Sequence, residues 1–507
     1  MNHKAISFYL IGILLLSVGC SNYFLNAQSK TLTILHTNDM HAAFLPHEAS
    51  WVQTDPKPMV GGFQELWWMI DSLWSANKNS ILLDAGDVMT GTPIAEIDYN
   101  GATGGALFEM MSMIGYDAWA IGNHDLDISQ DNLRKLSRIA KFATLSANLV
   151  DTLGNRTLNN RDYVILKKDG LRIGVIGVMS QDLFHLTNTN NLKGLKVLPP
   201  SEIVQRIIDK IDPETDLIVA VTHEGVEDDS ILAVNTHGLD VIIGGHSHTR
   251  LRTPKVIKGV IICQAGANCE NVGELNLVVD HDSVTSFDGK LHTLWLRTSR
   301  PEKDISRFIT KFQERIQQEY GDTLGKILSD WKRSSSGESN IGHFIADGIR
   351  EGAGSHMGVT NSSGIRKELS AGSVTKLDLF EISPFRNYLC TFTLSGKEVR
   401  EFSQRYVEQL AKGRSSIQIS GLQCTWGRGN GSSEIQHLSI GGEEVVDDKT
   451  YVCATSDFVI NQGDRYLGMI PDSVTYTQKT IFEALVEKVR KEETISAELK
   501  FRFREIK

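Results

Sequence analysis

The sequence contains little cysteine and little proline, with six and 11 residues respectively among 507. Apart from Cys20, the cysteines are Cys263, Cys269, Cys390, Cys424 and Cys453, an odd number that excludes complete pairing in disulfides. None of them has the spacing of a thiolate metal site. Cys263 and Cys269 are near enough in sequence to form a disulfide in an oxidising compartment. The interpretation that we favour is that most are small, buried apolar residues.

The chain also lacks any basic run, and its net charge is −10. Phosphate backbones are bound by clustered lysine and arginine, so we expect no nucleic-acid partner. After residue 20 no apolar run is long enough to cross a bilayer. The composition, 41% hydrophobic and 22% charged, is that of a globular protein, and the length predicts more than one domain.

The long apolar run lies at the N-terminus, where Lys4 precedes "AISFYLIGILLLSVG" and Cys20 follows it. This pattern predicts an export signal over residues 1–20. The segment "LSVGC" resembles a bacterial lipobox, which implies cleavage before Cys20 and lipidation of its thiol. The protein is then expected in the periplasm or at the cell surface, tethered to a bacterial membrane only through that lipid anchor. A plain secretory signal with an incidental cysteine is the alternative.

Strand-like runs alternate with amphipathic helical patterns over residues 30–300, which predicts a layered α/β domain. Helical patterns are "GGFQELWWMIDSLWSAN", "DNLRKLSRIA" and "PSEIVQRIIDKI", and "LRIGVIGVMS" is typical of a buried strand. Residues 301–322 are predicted to form one exposed, charged connector helix. A second domain is expected over residues 323–507, with helices at "IGHFIADGIREG" and "SGKEVREFSQRYVEQL" and strands at "YLCTFTL" and "TYVCATS".

Metal-ligand residues follow five of the strand-like runs at the point where each run ends. The five segments are Asp39-Met40-His41, Gly86-Asp87, Gly122-Asn123-His124-Asp125, His223-Glu224 and Gly244-Gly245-His246-Ser247-His248. Ligands of open α/β sheets bind at the carboxyl ends of strands, so these side chains can converge. Their imidazole, carboxylate and amide donors suit Zn, Mn, Fe or Co better than thiolate-preferring ions.

The spacing within the segments indicates how a two-metal site is built. Such a site needs one ligand that bridges both ions, and a carboxylate at Asp87 is the predicted bridge. Asp39 and His41 are two residues apart, as are His246 and His248, so in extended strands each pair faces one way. An Asp-x-His or His-x-His pair that occurs alone is more often a cluster of hydrogen-bonded polar residues than a metal site. The prediction of a metal site depends on the ordered set of five segments.

The blocks "ILHTNDMHAAF", "LDAGDVMTGTP", "AIGNHDLD" and "GGHSHT" resemble those of the 5'-nucleotidase family of the metallophosphoesterase superfamily. The resemblance implies a four-layered α/β/β/α metallophosphoesterase domain followed by a smaller α+β substrate-binding domain. It also implies two divalent metal ions, such as Zn or Mn. One would be held by Asp39, His41, Asp87 and His248, and the other by Asp87, Asn123, His223 and His246. The family often has Gln at the position of His248. Either Gln or His can bind a metal there, so the resemblance still implies a ligand at this position.

His124 and Asp127 match a catalytic pair of that family. An imidazole that a carboxylate orients and charges can stabilise negative charge on a phosphoryl oxygen. A structural hydrogen bond in a turn is the alternative, and we interpret the neighbouring Asp125 as a local turn residue. The mechanism implied is in-line attack of a metal-generated hydroxide on phosphorus, without a covalent enzyme intermediate.

Residues of the C-terminal half match the family's nucleotide pocket. The resemblance assigns Arg366 to the substrate phosphate or ribose, Asn361 to the base or sugar, and Asp464 to ribose hydroxyls. Phe385 and Phe458 match two rings that stack on the base, although core packing is the better interpretation of either ring alone. Departures occur in "NSSGIR", "NQGDRY" and "WKRSSSGE", where glycines and arginines of the family pattern are replaced or out of register.

The expected function is hydrolysis of nucleotide phosphate esters by a metal-dependent enzyme. The departures put 5'-nucleotide specificity in question but not the chemistry. The same site acting on 2',3'-cyclic nucleotides, nucleotide sugars or a sulfur conjugate is the alternative. A non-catalytic binding lipoprotein is the third hypothesis, and the complete ligand set together with His124 and Asp127 argues against it.

Overall fold

The computed structural model describes residues 29–297, 301–334, 336–429, 432–496 and 498–506. The predicted export signal at residues 1–20 and the predicted lipidation site Cys20 lie outside these ranges. Across the described part of the chain, no helix combines the length and apolarity needed to cross a membrane.

Two six-stranded sheets form the centre of the first half. In spatial order the first sheet contains Ser283–Thr293, Asn271–Asp280, Lys30–Thr37, Ser80–Asp84, Ala118–Ala120 and Ala143–Leu145. The second contains Tyr163–Lys168, Leu171–Met179, Leu217–His223, Val241–Gly244, Val260–Cys263 and Lys255–Ile257. In each sheet four neighbouring strands are parallel, and antiparallel strands complete the edges.

Helices cover the outer face of each sheet, which gives four layers. Phe63–Ala76, Gly105–Ile114 and Gln130–Ile139 lie on the first sheet, and Pro200–Ile211 and Val226–Asn235 lie on the second. Ile34 and Val219 point between the sheets, whereas their neighbours Leu35 and Ile218 point towards the helices. This period of two explains why the strands read as continuous apolar runs: both faces are buried. The predicted α/β/β/α arrangement is confirmed.

The charged helix predicted as an exposed connector is buried along one face. It spans Asp304–Tyr320, and Ile309, Phe312 and Ile316 belong to the same apolar core as the helices of the first sheet. Its far end contacts the second half, because the Tyr320 ring lies 5.6 Å from that of Phe380. The prediction of an exposed helix was therefore wrong, since spacing near 3.6 residues buries one stripe of an otherwise charged segment.

The second half is a smaller α+β unit, as predicted. Its five-stranded sheet has the order Ile417–Ser420, Met357–Asn361, Thr450–Ser456, Tyr388–Ser395 and Val474–Thr480. A four-stranded sheet contains Glu443–Glu444, Ser432–Ile440, Leu422–Gly429 and Phe503–Glu505, and a three-stranded sheet contains Gly372–Thr375, Thr323–Ile327 and Thr494–Ile495. The helices are Asn340–Ala353, Lys376–Ile382, Gly396–Ala411, Asp457–Asn461, Gly463–Tyr466 and Ile481–Glu492.

Short elements complete the chain. Two-stranded ladders pair His47–Glu48 with Met59–Val60, Asp98–Tyr99 with Ala102–Thr103, and Leu149–Asp151 with Leu195–Val197. One-turn helices span Pro93–Glu96, His124–Leu126, Leu183–Leu186, Thr189–Leu192, Asp212–Glu214 and Ser362–Gly364. The five cysteines from Cys263 onward are free and buried, so the favoured interpretation is confirmed and Cys263 and Cys269 form no disulfide.

Candidate metal and substrate site

The predicted metal ligands all lie at the carboxyl ends of parallel strands. Asp39, Asp87 and Asn123 follow three neighbouring strands of the first sheet. His223 ends a strand of the second sheet, and His246 follows the strand beside it. Because the two sheets face each other, their carboxyl ends bring these residues to one place, as the sequence predicts.

The backbone that presents the ligands is left-handed rather than extended. Asp39, His41, Asp87, His246 and His248 have φ values of 50°, 47°, 57°, 74° and 54°. The expectation that strand alternation turns each two-residue pair inward was therefore wrong: the residues lie in loops beyond the strand ends. Non-glycine residues rarely adopt this conformation, and where they do it clusters at functional sites.

Two overlapping groups of ligand atoms result. Asp39, His41 and His248 form one, with 3.0 Å between the two Nε2 atoms and 3.4 Å from His248 Nε2 to Asp39 Oδ1. Asp39, Asp87 and His223 form the other, with His223 Nε2 at 3.1 Å from Asp87 Oδ2 and 4.0 Å from Asp39 Oδ1. Asp39 is thus common to both groups, a position that the sequence predicted for Asp87.

Asn123 Oδ1 is buried and makes no hydrogen bond to a described residue. His223 Nε2 is also buried, and its near neighbour is the Asp87 carboxylate at 3.1 Å. On the other side of its ring, His223 Nδ1 donates to the Ala85 carbonyl at 2.7 Å, which leaves Nε2 to face the two carboxylates. His41 has the same arrangement, with Nδ1 3.0 Å from the Thr90 carbonyl. Unsatisfied oxygen and nitrogen lone pairs that converge in a buried place fit divalent cations.

The charge state of the histidines is set by burial and by the two carboxylates. Burial lowers the pKa of His41 to about 3 and that of His246 to about 4, so both are neutral, the form that ligates metals. Burial also lowers the pKa of His223, but the nearby charges of Asp87 and Asp39 outweigh it and raise that pKa to about 10. A cation at this place would replace the proton that His223 otherwise holds.

His124 and Asp127 are in contact, as the sequence predicted. His124 Nδ1 lies 2.7 Å from Asp127 Oδ2, which also accepts a hydrogen bond from the Thr90 hydroxyl at 2.8 Å. Burial lowers the pKa of His124, but the charges of Asp127 and Asp87 outweigh it, and the pKa is raised. The imidazole is therefore oriented by Asp127 and carries a proton more readily than an isolated histidine.

Asp125 is a structural residue of the site that the sequence interpretation missed. Its carboxylate accepts hydrogen bonds of 2.8 to 3.1 Å from the backbone N–H groups of Asp87, Val88, Met89 and Gly122. It therefore joins the loops after two neighbouring strands. The loops approach so closely that a Cβ on Gly122 would lie 2.2 Å from Asp87 Oδ1. Asp125 differs from a local turn residue in its burial and in these hydrogen bonds to distant residues. Neither feature is visible in the sequence.

A cavity of about 410 Å³ opens beside the ligands, and both halves of the chain line it. The first half contributes Asp87, Asn123, His124, Asp127, His246 and His248. The second half contributes four of the five predicted substrate residues, namely Asn361, Arg366, Phe385 and Phe458. Small-molecule sites commonly form in such clefts. Residues more than 200 positions apart are thus brought together where the chemistry is expected.

Phe385 lies at the ligand end of the cavity. Its ring centroid is 5.7 Å from that of His124, and the guanidinium carbon of Arg366 is 5.5 Å from the same ring. Phe458 packs instead against Tyr466, at 6.0 Å between ring centroids. The two rings therefore occupy different surroundings, one beside charged groups and the other beside a second aromatic residue.

Asp464, the fifth predicted substrate residue, directly precedes two residues of the cavity wall, Arg465 and Tyr466. It is exposed and is not among the residues that line the cavity, and its assignment to the ribose stays a prediction. Arg405 donates to the backbone carbonyls of both Asp464 and Arg465, at 3.0 and 3.2 Å, which holds this short helix in place.

Polar contacts join the two halves beside the cavity. Asn188 donates to Asp457 at 3.0 Å and accepts from Asn461 at 2.8 Å. Gln462 donates to the Phe184 carbonyl at 2.8 Å and lies 3.1 Å from His185 Nδ1. Hydrogen bonds therefore connect the two halves at this place, in addition to the ring contact of Tyr320 with Phe380.

Comparison with known proteins matches each half of the chain to a family. Residues 32–250 match the calcineurin-like phosphoesterases, and residues 321–470 match the 5'-nucleotidase C-terminal domain. The chain is 28% identical over 488 residues to a 5'-nucleotidase of Vibrio vulnificus strain CMCP6, covering 86% of this chain and 85% of that protein. It is 26% identical over 500 residues to the protein UshA of Escherichia coli strain K12, covering 87% of each.

Among solved structures, the chain resembles a 5'-nucleotidase precursor from Thermus thermophilus. The TM-score is 0.77 at 26% identity, over 94% of this chain and 99% of that one. A second similar structure is the sulfate thiohydrolase SoxB from Thermus thermophilus, with a TM-score of 0.75 over 94% of this chain and 96% of that one. At 15% identity the second likeness shows the fold alone.

Proposed function

Because the chain belongs to the calcineurin-like phosphoesterases that carry a 5'-nucleotidase C-terminal domain, we propose that it hydrolyses the 5'-phosphate ester of nucleotides. The family is one of metal-dependent hydrolases and supports nucleotide phosphoesters as the substrate class. The observation that carries the finer proposal is the shared cavity, which joins His124 and the metal ligands to Arg366, Phe385 and Phe458. Chemistry and recognition meet there.

We assign the seven predicted ligands to two cations. Asp39, His41, Asp87 and His248 would hold the first, and Asp87, Asn123, His223 and His246 would hold the second. When bound, two such ions supply an activated water near neutral pH and neutralise charge on the phosphoryl oxygens. The buried, unpartnered Asn123 Oδ1 and the buried His223 Nε2, which faces two carboxylates, support this set.

His124 is the residue that we assign to charge stabilisation at the phosphoryl group. Its Nδ1–H donates to Asp127, so that Nε2 is directed away from Asp127. A protonated Nε2 can donate to a phosphoryl oxygen as negative charge develops in the transition state. Arg366, also on the cavity wall, adds a second, permanently charged donor for the same group.

The two phenylalanine rings are assigned to the nucleobase. Phe458 lies beside Tyr466 and lines the cavity. Phe385 also lines the cavity, and its ring is 5.7 Å from that of His124. Base stacking on such rings contributes about 1–3 kcal/mol per base and tolerates changes of base. Base identity is therefore expected to affect the rate little.

We also propose that the protein is exported and tethered through Cys20. The support is the sequence of residues 1–20, with its basic start, apolar run and lipobox-like end. Extracellular or periplasmic nucleotides would then be its substrates. Labelling of expressing cells with a radioactive fatty acid tests the anchor: Cys20→Ser should abolish incorporation, and incorporation that persists would contradict it.

The proposed activity is tested by chromatographic analysis of the products formed from a substrate panel with added Mn²⁺ or Zn²⁺. The panel contains AMP, 2',3'-cyclic AMP, a uridine diphosphate sugar and p-nitrophenyl phosphate. We expect kcat/KM for AMP to exceed that for the diester, the sugar nucleotide and the aryl phosphate, and chelation to abolish all activity. If p-nitrophenyl phosphate is as good a substrate as AMP, the second half does not recognise the nucleoside and the proposal fails.

A further inference from the structure

Three arginine residues line the cavity, and they differ in what they contact. Arg366 lies beside Phe385 at the catalytic end, as described above. Arg386 is within 3.8 Å of the Glu96 carboxylate, which offsets its charge. Arg465 is exposed at the cavity wall, and no carboxylate of the described residues forms an ion pair with it. Its positive charge is therefore available to a ligand.

The contacts of Arg465 connect it to residues that we assign to the nucleoside. Its guanidinium carbon lies 5.4 Å from the centroid of the Tyr466 ring, and Tyr466 in turn packs against Phe458. The Tyr466 hydroxyl is 3.5 Å from the Ser363 hydroxyl, which accepts a hydrogen bond from Asn361. Arg465 thus belongs to the group of residues around the nucleoside, whereas Arg366 belongs to the group around His124.

The chemistry of this wall differs from that of a pocket built for free ribose hydroxyls. A carboxylate accepts hydrogen bonds from hydroxyl groups, and Asp464 is not among the residues that line the cavity. The Arg465 guanidinium on the cavity wall has only donors, and its planar fork matches a phosphate or a carboxylate. Arg405 donates to the backbone carbonyls of Asp464 and Arg465 and so holds this segment in place.

We infer that Arg465 forms a second anion subsite, which selects nucleotides that carry another phosphate on the ribose, such as nucleoside 3',5'-bisphosphates. The inference rests on the proposed function, because the 5'-phosphate must occupy the metal site for the ribose to lie near Arg465. The two phosphates then contact different arginines, Arg366 at the scissile group and Arg465 at the retained one. With a net charge of −10 the chain attracts anions only through such local cations.

The test compares how tightly two hydrolysis-resistant ligands bind to the full chain loaded with Mn²⁺. Calorimetric dissociation constants of AMP and adenosine 3',5'-bisphosphate, each as its 5'-methylenephosphonate analogue, are measured for the full chain and for Arg465→Gln. We expect the bisphosphate to bind about tenfold more tightly than AMP to the unchanged chain, on the scale of one charge-assisted contact. Arg465→Gln should bring the two constants together, and Arg465→Lys should restore part of the difference.

Arg138→Gln is the matched control, because it removes the same charge from an exposed helix residue that does not line the cavity. It should leave the preference for the bisphosphate unchanged. Equal binding of the two ligands to the unchanged chain overturns the subsite, as does a preference that survives in Arg465→Gln. A separate assay of phosphate release with Mn²⁺ distinguishes the two proposals: a binding preference without release from either ligand supports the subsite and contradicts the proposed function.

Discussion

The Asp125 carboxylate accepts a hydrogen bond from the backbone N–H of Asp87 at 3.0 Å, across 38 residues of sequence. Three further N–H groups donate to the same carboxylate, so one side chain fixes the loop that presents the proposed ligand Asp87. Burial, followed by the charge of Asp87, raises the pKa of Asp125 to about 7, while the backbone donors oppose this shift. The geometry of the candidate site thus depends on a residue that is not among those lining the cavity.

Asp125→Asn tests this dependence. One carboxylate oxygen is replaced by an amide nitrogen, which cannot accept a hydrogen bond. At least one backbone N–H group of the buried loops therefore loses its partner. We expect metal affinity to fall by roughly 10- to 100-fold, the usual effect of residues that orient ligands. Competitive titration against a fluorescent chelator measures it. Asp131→Asn, an exposed carboxylate paired with Lys135, is the control and should bind metal normally.

Three single variants decide which carboxylate bridges the proposed ions. The assigned bridge is Asp87, yet Asp39 belongs to both groups of ligand atoms. If Asp87 bridges, Asp87→Ala should lose both ions and nearly all activity, whereas His248→Ala should retain one ion. Elemental analysis of the purified proteins gives the counts. Two ions per chain in Asp87→Ala would exclude the bridging role, and loss of both in Asp39→Ala alone would transfer it to Asp39.

His124→Ala separates catalysis from metal binding. Because His124 is not an assigned ligand, we expect both ions to remain and kcat to fall roughly 10²- to 10³-fold, the scale of one donor to a developing oxyanion. Asp127→Asn should lower kcat less, since it weakens the orientation of the ring but leaves the imidazole in place. Loss of bound metal in His124→Ala, or near-normal turnover, would contradict the assignment.

We expect different kinetic effects when Phe458 and Phe385 are each replaced by alanine. Phe458→Ala should raise KM for AMP well above its effect on p-nitrophenyl phosphate, because only a nucleobase can stack on this ring. Phe385→Ala removes a ring in contact with His124 and should therefore also lower kcat for both substrates. Equal changes for AMP and the aryl phosphate in Phe458→Ala would identify that ring as core packing.

The sequence alone was sufficient to predict which residues would converge. Asp39, Asp87, Asn123, His223 and His246 each follow an apolar run, and a rule about strand ends places them at one edge without coordinates. The elements themselves were also predictable where periodicity was strong, as in the helices Asn340–Ala353 and Gly396–Ala411. Local patterns carry this information because apolar spacing reports directly on which face is buried.

The means by which the ligands converge was decided by the tertiary structure. The two-residue spacing of Asp39 and His41 suggested that an extended strand directs both side chains to one side. In the structure both residues lie in a loop, with left-handed backbone conformations. Such conformations are unfavourable in isolation and persist only because surrounding contacts hold them, including the hydrogen bonds to Asp125. No short segment of the sequence contains those contacts, since they join residues from separate strands.

Recognition was decided in the same way. A resemblance between motifs assigned Asp464 to the ribose, and the structure adds the next residue, Arg465, to the cavity wall. The sequence determined the residue types, the order of the candidate ligands and the class of chemistry, because these depend on composition and local period. Only the packed chain decided which side chains line the cavity, because their directions depend on contacts such as those of Arg405 with the carbonyls of a short helix some 60 residues away.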